Sequence, residues 1–243
     1  MEWQREVRAN HGLHVPDSIL GYRMGPGQTV WGRTVDSLGY RGREFSFKKP
    51  AGSFRIVCSG NSITFGEAAS NDSTYPALLE NIMRDRGEIN EPVEVINAGA
   101  MGYTSYQCLL DLKTRLLALQ PDLVILYVGW NDITFSKYIG WTPDMNWHDP
   151  WHFWTVEDSY AIWLLNQRFL HIPIGVRSAP LKAFANNLEE IIMFCKNNGV
   201  ALAILDPPTI FSQKMTPAEE EKCKINYFCS RRDSALRGTT RLR

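Results

Sequence analysis

The continuous apolar run Leu123 to Val128, LVILYV, limits the possible folds of this chain more than any other stretch. A short run without polar alternation reads as a strand buried on both faces, which is the habit of parallel sheets covered by helices. Arg55 to Cys58, Val93 to Ile96 and Ala201 to Leu205 are further predicted strands. Between them the period is helical. Tyr75 to Arg86 is a predicted helix with Leu78, Leu79, Ile82 and Met83 as its apolar face, Ser105 to Leu119 is a second, and Leu181 to Asn197, closed by Asn198-Gly199, is a third. Strands alternating with helices predict an α/β domain whose parallel sheet is joined by right-handed crossovers.

With 243 residues, the chain suits one such domain and an extension. Residues 1–53 read as an N-terminal extension of short strands and turns packed beside the main domain. Within it Leu20-Gly21-Tyr22-Arg23 recurs as Leu38-Gly39-Tyr40-Arg41, an echo too short to mean a repeat architecture. Residues 54–228 read as the domain itself, with an insertion over about 135–175 that carries Trp141, Trp147, Trp151, Trp154 and Trp163. These indoles either line a ligand cleft or form the insertion's own small core. Thr216-Pro217-Ala218-Glu219 has the form of a capping box. Residues 229–243, rich in arginine and without apolar period, read as a disordered tail.

Charge and cysteine content narrow the partners. Lys plus Arg and Asp plus Glu both count 26, so no net field draws nucleic acid or an anionic membrane. Cys58, Cys108, Cys195, Cys223 and Cys229 are odd in number and form no CxxC pair, which argues against zinc and against a disulfide framework. They are expected to be reduced thiols, with Cys58 buried in its strand. The N-terminus lacks an apolar h-region, and no apolar run of about 18 residues occurs, so the expectation is no stable membrane insertion and, by default, a cytoplasmic chain.

Chemistry concentrates at the strand ends. After the first strand comes Gly60-Asn61-Ser62, after the second Asn97-Ala98-Gly99-Ala100-Met101-Gly102, and after the third Gly129-Trp130-Asn131-Asp132. In a parallel sheet these turns open on one crevice. Acyl transfer needs a nucleophilic oxygen beside several neutral donors aimed at an oxyanion. Ser62 offers the oxygen and its own N–H, Gly99 an N–H that no side chain covers, and Asn131 a side-chain amide. The competing reading of Ser62 is a helix cap.

GNSIT at 60–64, the glycine in NAGAMG at 97–102 and GWND at 129–132 resemble the first blocks of the SGNH/GDSL hydrolase family, and the leader, with LGYRGREF and KKP, resembles leaders of some members. The resemblance implies a flavodoxin-like three-layer α/β/α sandwich. It also implies hydrolysis of carboxylic esters, with lipid, acetylated-sugar and thioester substrates in scope, and requires no cofactor. Ser62 would be nucleophile and first oxyanion donor, and Gly99 and Asn131 the other donors. Asn61 stands where the family usually has aspartate, keeping a hydrogen-bonding carbonyl for the turn without its charge.

The family's base is a histidine in a C-terminal DxxH segment, and none follows Leu205. The domain is therefore expected to be incomplete at its C-terminal end, short of its last strand or helix, and impaired as an esterase. His11, His14 and His171 lack an acid three residues earlier, whereas Asp149-Pro150-Trp151-His152 matches the pattern from within the insertion. A serine without a base is a poor nucleophile at neutral pH. The alternative is a catalytically silent module of the same fold that holds an acyl or carbohydrate ligand. A flavodoxin-like nucleotide binder fits less well, since the first turn has neither a GxGxxG fingerprint nor a P-loop lysine.

Overall fold

The structure, a computed structural model, describes residues 13–30, 32–87, 89–135 and 178–206. The tryptophan-bearing insertion from 136 onward, Asp149 and His152, the box at Thr216 and the tail 229–243 lie outside the described residues.

The leader forms two antiparallel hairpins, β1 (His14–Asp17) with β2 (Gly21–Met24) and β3 (Thr29–Val30) with β4 (Arg33–Thr34). The apolar runs then form β5 (Phe54–Gly60), β6 (Val93–Gly99), β7 (Leu123–Tyr127) and β8 (Ala201–Ile204), all parallel, in the order β6-β5-β7-β8. Five helices accompany them among the described residues: α1 (Ser62–Phe65), α2 (Tyr75–Arg86), α3 (Ser105–Asp111), α4 (Trp130–Phe135) and α5 (Ser178–Asn197). Beyond Asp111 the helical path continues through a wide π turn at Leu112–Leu116 and a tight turn at Leu117–Leu119.

Strand order dictates the layers. The crossover from β5 to β6 runs one way across the sheet, and those from β6 to β7 and from β7 to β8 run the other way. Right-handedness then puts α2 on one face and α3 with α5 on the opposite face. The two cores agree with this. Ile56, Cys58 and Ile125 pack with Leu79 and Met83 of α2, while Val57, Val124 and Leu126 share a core with Leu109, Leu112 and Leu116 and with Ile191 of α5. The architecture is the three-layer α/β/α sandwich with a parallel sheet. Cys58, Cys108 and Cys195 are buried and unbridged.

The buried face of α2 differs from its sequence reading. Leu78 and Ile82 are 46% and 49% exposed, and Tyr75, Leu79 and Met83 meet the sheet instead. These residues lie four apart, so they form one ridge along the helix. The rotation that seats them also buries Glu80, which accepts the Val95 N–H at 3.0 Å and pairs with Arg43 and Arg84. A paired carboxylate is thus buried while two branched aliphatic side chains are exposed.

The leader is integral to the fold. Leu13, Leu20, Tyr22, Met24, Val35 and Tyr40 belong to the same core as α3, and burying each contributes roughly 1.5–3 kcal/mol. Arg55, fully buried at the start of β5, donates to the carbonyls of Ser46, Phe47 and Leu119 and pairs with Glu94 at 2.7 Å.

Candidate active site

β5 lies between β6 and β7, and the chain leaves it toward one neighbour and returns to the other, so the carboxyl ends of β5 and β7 flank a topological switch point. Register aligns the turns there: Gly60 is opposite both Gly99 and Tyr127. Hydrogen bonds then lace the turns together. The Ala100 N–H donates to the Gly60 carbonyl at 3.0 Å, and Asn131 Nδ2 donates to the Tyr103 carbonyl at 2.8 Å.

Ser62 is the first residue of α1, and its cap is Asn61. The Asn61 side chain accepts the Ile63 N–H at 3.0 Å from an extended backbone, so the carbonyl expected at this position has the capping task. Among the described residues none hydrogen-bonds the Ser62 hydroxyl. A helix of a single turn does not hold its own orientation. Arg41, 4% exposed, supplies it from the leader: Nε donates to the Phe65 carbonyl at 3.2 Å, Nη2 to the Ala69 carbonyl at 3.0 Å, and Nη1 to Thr34 and Asn71. Burial, with Arg33 nearby, lowers the Arg41 pKa to about 10, and the guanidinium stays charged at neutral pH.

Gly99 has a packing reason to be glycine besides the one read from sequence. Its Cβ would collide with the backbone of Thr64 and Phe65, so the residue lets α1 lie directly on β6. Its N–H is engaged, donating to Asn97 Oδ1 at 3.0 Å. Gly102, three residues on, sits in the turn closed by the Tyr103 N–H on the Ala100 carbonyl, with φ of 82°. No described acceptor takes the Gly102 N–H.

Asn131 is half-buried in the first turn of α4, with one amide proton held by Tyr103 and no described acceptor on the second. Asp132 beside it is only part of a motif in the sequence. In the structure it is buried and accepts both the N–H and the hydroxyl of Ser105, while Asn187 Nδ2 donates to that hydroxyl at 2.9 Å. This network fixes α4 to α3 and α5. Burial pushes the Asp132 carboxyl up to about 6, partly offset by the Ser105 donors. The signal available in sequence is its adjacency to Asn131, which carries no hint of its partners.

His14 is the one histidine among the described residues, and its ring packs edge-on to Tyr22 at 4.8 Å. The described residues contain no cluster of histidine, cysteine and carboxylate suited to a metal ion, and none of their helices is long and apolar enough to cross a membrane.

A family model described as the GDSL-like lipase/acylhydrolase family matches residues 58–226. No curated protein matches the chain. Among solved structures, a mutant of esterase AlinE4 is similar at 20% identity, covering 72% of this chain and 75% of that one, with a TM-score of 0.41. TesA is similar at 20% identity over 69% of this chain and 67% of its own, TM-score 0.40. Axe2, an acetylxylan esterase from Geobacillus stearothermophilus, is similar at 16% identity over 70% of this chain and 67% of its own, TM-score 0.42.

Proposed function

The chain belongs to the GDSL-like lipase/acylhydrolase family, and from that premise we propose that it hydrolyses carboxylic esters with Ser62 as nucleophile. One observation carries the reading. Asn61 caps α1, so the Ser62 hydroxyl stands at the carboxyl end of a central strand with no capping task and no described partner.

In the proposed reaction the Ser62 oxygen attacks the ester carbonyl and gives up its proton to a base. The tetrahedral oxyanion accepts hydrogen bonds from the Ser62 N–H and the second Asn131 amide proton. For the third donor we favour Gly102 over Gly99, because the Gly99 N–H is taken by Asn97. Collapse expels the alcohol, and water then releases the acyl group from Ser62. His152, oriented by Asp149, is the candidate base that the sequence offers. The unengaged hydroxyl also supports a second reading, a silent module that binds an acyl or carbohydrate ligand in the same crevice.

Treating the chain and its Ser62→Ala variant with a fluorophosphonate, followed by peptide mass mapping, separates these. Phosphonylation at Ser62 in the parent alone is expected, since the reagent needs an activated hydroxyl. An unlabelled parent leaves the silent module, and labelling that persists in Ser62→Ala removes Ser62 from the role. Turnover of p-nitrophenyl esters of increasing acyl length would then define the acyl group.

A further inference from the structure

We propose that Tyr22 is a positioning residue for the reaction, aiming the Gly102 N–H into the oxyanion site; the proposal rests on the reading of Ser62 given above. The Tyr22 hydroxyl donates to the Met101 carbonyl at 2.7 Å across 79 residues of sequence. Met101 C=O and Gly102 N–H are the two ends of one peptide unit. In a planar trans peptide they point in opposite directions, and no described peptide bond is cis. Holding the carbonyl against Tyr22 therefore turns the N–H away from the leader. Tyr22 and Met101 are each 7% exposed, whereas Gly102 is half-buried and no described acceptor takes its N–H.

Tyr22 is itself held on several sides. Its ring meets Tyr103 edge-on at 5.5 Å, the Tyr103 hydroxyl donates to the Tyr22 carbonyl at 2.9 Å, and His14 covers another edge. The fit at Gly102 is equally close, since a Cβ there would collide with the Tyr22 hydroxyl. A β-turn with glycine at its third position can exchange type II geometry, with the glycine left-handed, for type I, with the glycine at negative φ, by a flip of the central peptide. The hydroxyl bonds only the orientation in which the Met101 carbonyl faces it. The L-G-Y-R echo supplies an internal comparison. Gly21 and Gly39 both take left-handed φ, 79° and 95°, and both following tyrosines are buried. Tyr40, however, meets Arg115 and no turn of the site.

The test is the rate of Ser62 phosphonylation, resolved into half-saturating reagent concentration and maximal rate, in the parent, Tyr22→Phe and Tyr40→Phe chains. A misaimed donor should lower the maximal rate of Tyr22→Phe by about 10–100-fold, short of the full loss of a donor, with half-saturation unchanged. Tyr40→Phe loses a buried hydroxyl of the same leader and should label at the parental rate. Equal slowing of both variants, or none in Tyr22→Phe, overturns the proposal while leaving Ser62 as nucleophile. A parent chain that does not label overturns the nucleophile and the positioning role together. The parent also gives a readout that needs no variant: the Gly102 amide proton resonance should shift on phosphonylation as it takes up the phosphoryl oxygen, and an unmoved resonance rejects the proposal.

Discussion

Asn131 Nδ2 lies 2.8 Å from the Tyr103 carbonyl oxygen, so the third strand's turn is fastened to the second's by the same amide that is proposed to meet the oxyanion. The two protons of that amide divide the work. Asn131→Ala should slow Ser62 phosphonylation on the order of 10²–10³-fold. Asn131→Asp should be at least as slow, because a carboxylate supplies neither donor and repels the Tyr103 carbonyl. Circular dichroism of both variants should match the parent, and an Asn131→Asp chain that labels at the parental rate would remove this residue from the oxyanion site.

Gly102 and Tyr22 should be energetically coupled. Gly102→Ala places a side chain at a φ of 82° and against the Tyr22 hydroxyl, and should cost about 1–3 kcal/mol. Removing the hydroxyl as well relieves the collision but not the backbone strain. The double variant Gly102→Ala with Tyr22→Phe should therefore be more stable in urea than the sum of the two single losses, and strict additivity would count against a close approach of the two residues.

Stability should fall as pH rises from about 4 to about 6. Burial raises Asp132 and Asp111 from the ordinary 3.8 to about 6, with Arg115 pulling Asp111 partly back. Within that window the native state holds protons that the unfolded chain has released, so the contribution is complete below the window and lost above it. For Asp132 the loss is on the order of 2–3 kcal/mol. Asp132→Asn should flatten its share of the slope, as read from urea midpoints across the window.

Arg55→Met should be among the most destabilising single changes in the leader-to-sheet contact. It removes donors from the Ser46, Phe47 and Leu119 carbonyls and strands Glu94. The cost should be on the order of 3–5 kcal/mol, toward the lower end because water reaches Glu94. Arg55 sits at the opposite end of β5 from Ser62, so the phosphonylation rate of the folded fraction should be unchanged.

Much of the fold is legible in the sequence because it is written in local patterns. Val57, Val124 and Leu126 announce buried strands through their own neighbours, and Gly60-Asn61-Ser62 and Trp130-Asn131-Asp132 lie where those strands must end. What is illegible depends on distance and on backbone groups. Tyr22 and Arg41 act on carbonyl oxygens far along the chain, and a carbonyl leaves no mark in a sequence. At Gly99 the absence of a side chain also serves the passage of α1, which only the packed structure reveals. Apolar period places Leu78 and Ile82 inward, whereas the buried side of α2 is turned toward Glu80, whose partners Val95, Arg43 and Arg84 the period cannot foresee.

The shared core of leader and sheet has a consequence for how the molecule could be taken apart. Residues 47–52 cross between the two as an almost entirely exposed strap. A single proteolytic nick there would cut the chain without dividing the molecule: the Leu20 carbonyl would still receive Gln107, the Asn97 carbonyl would still receive the Arg41 N–H, and Leu13 and Met24 would still lie against α3. The two pieces would stay together as complementary fragments held by these contacts.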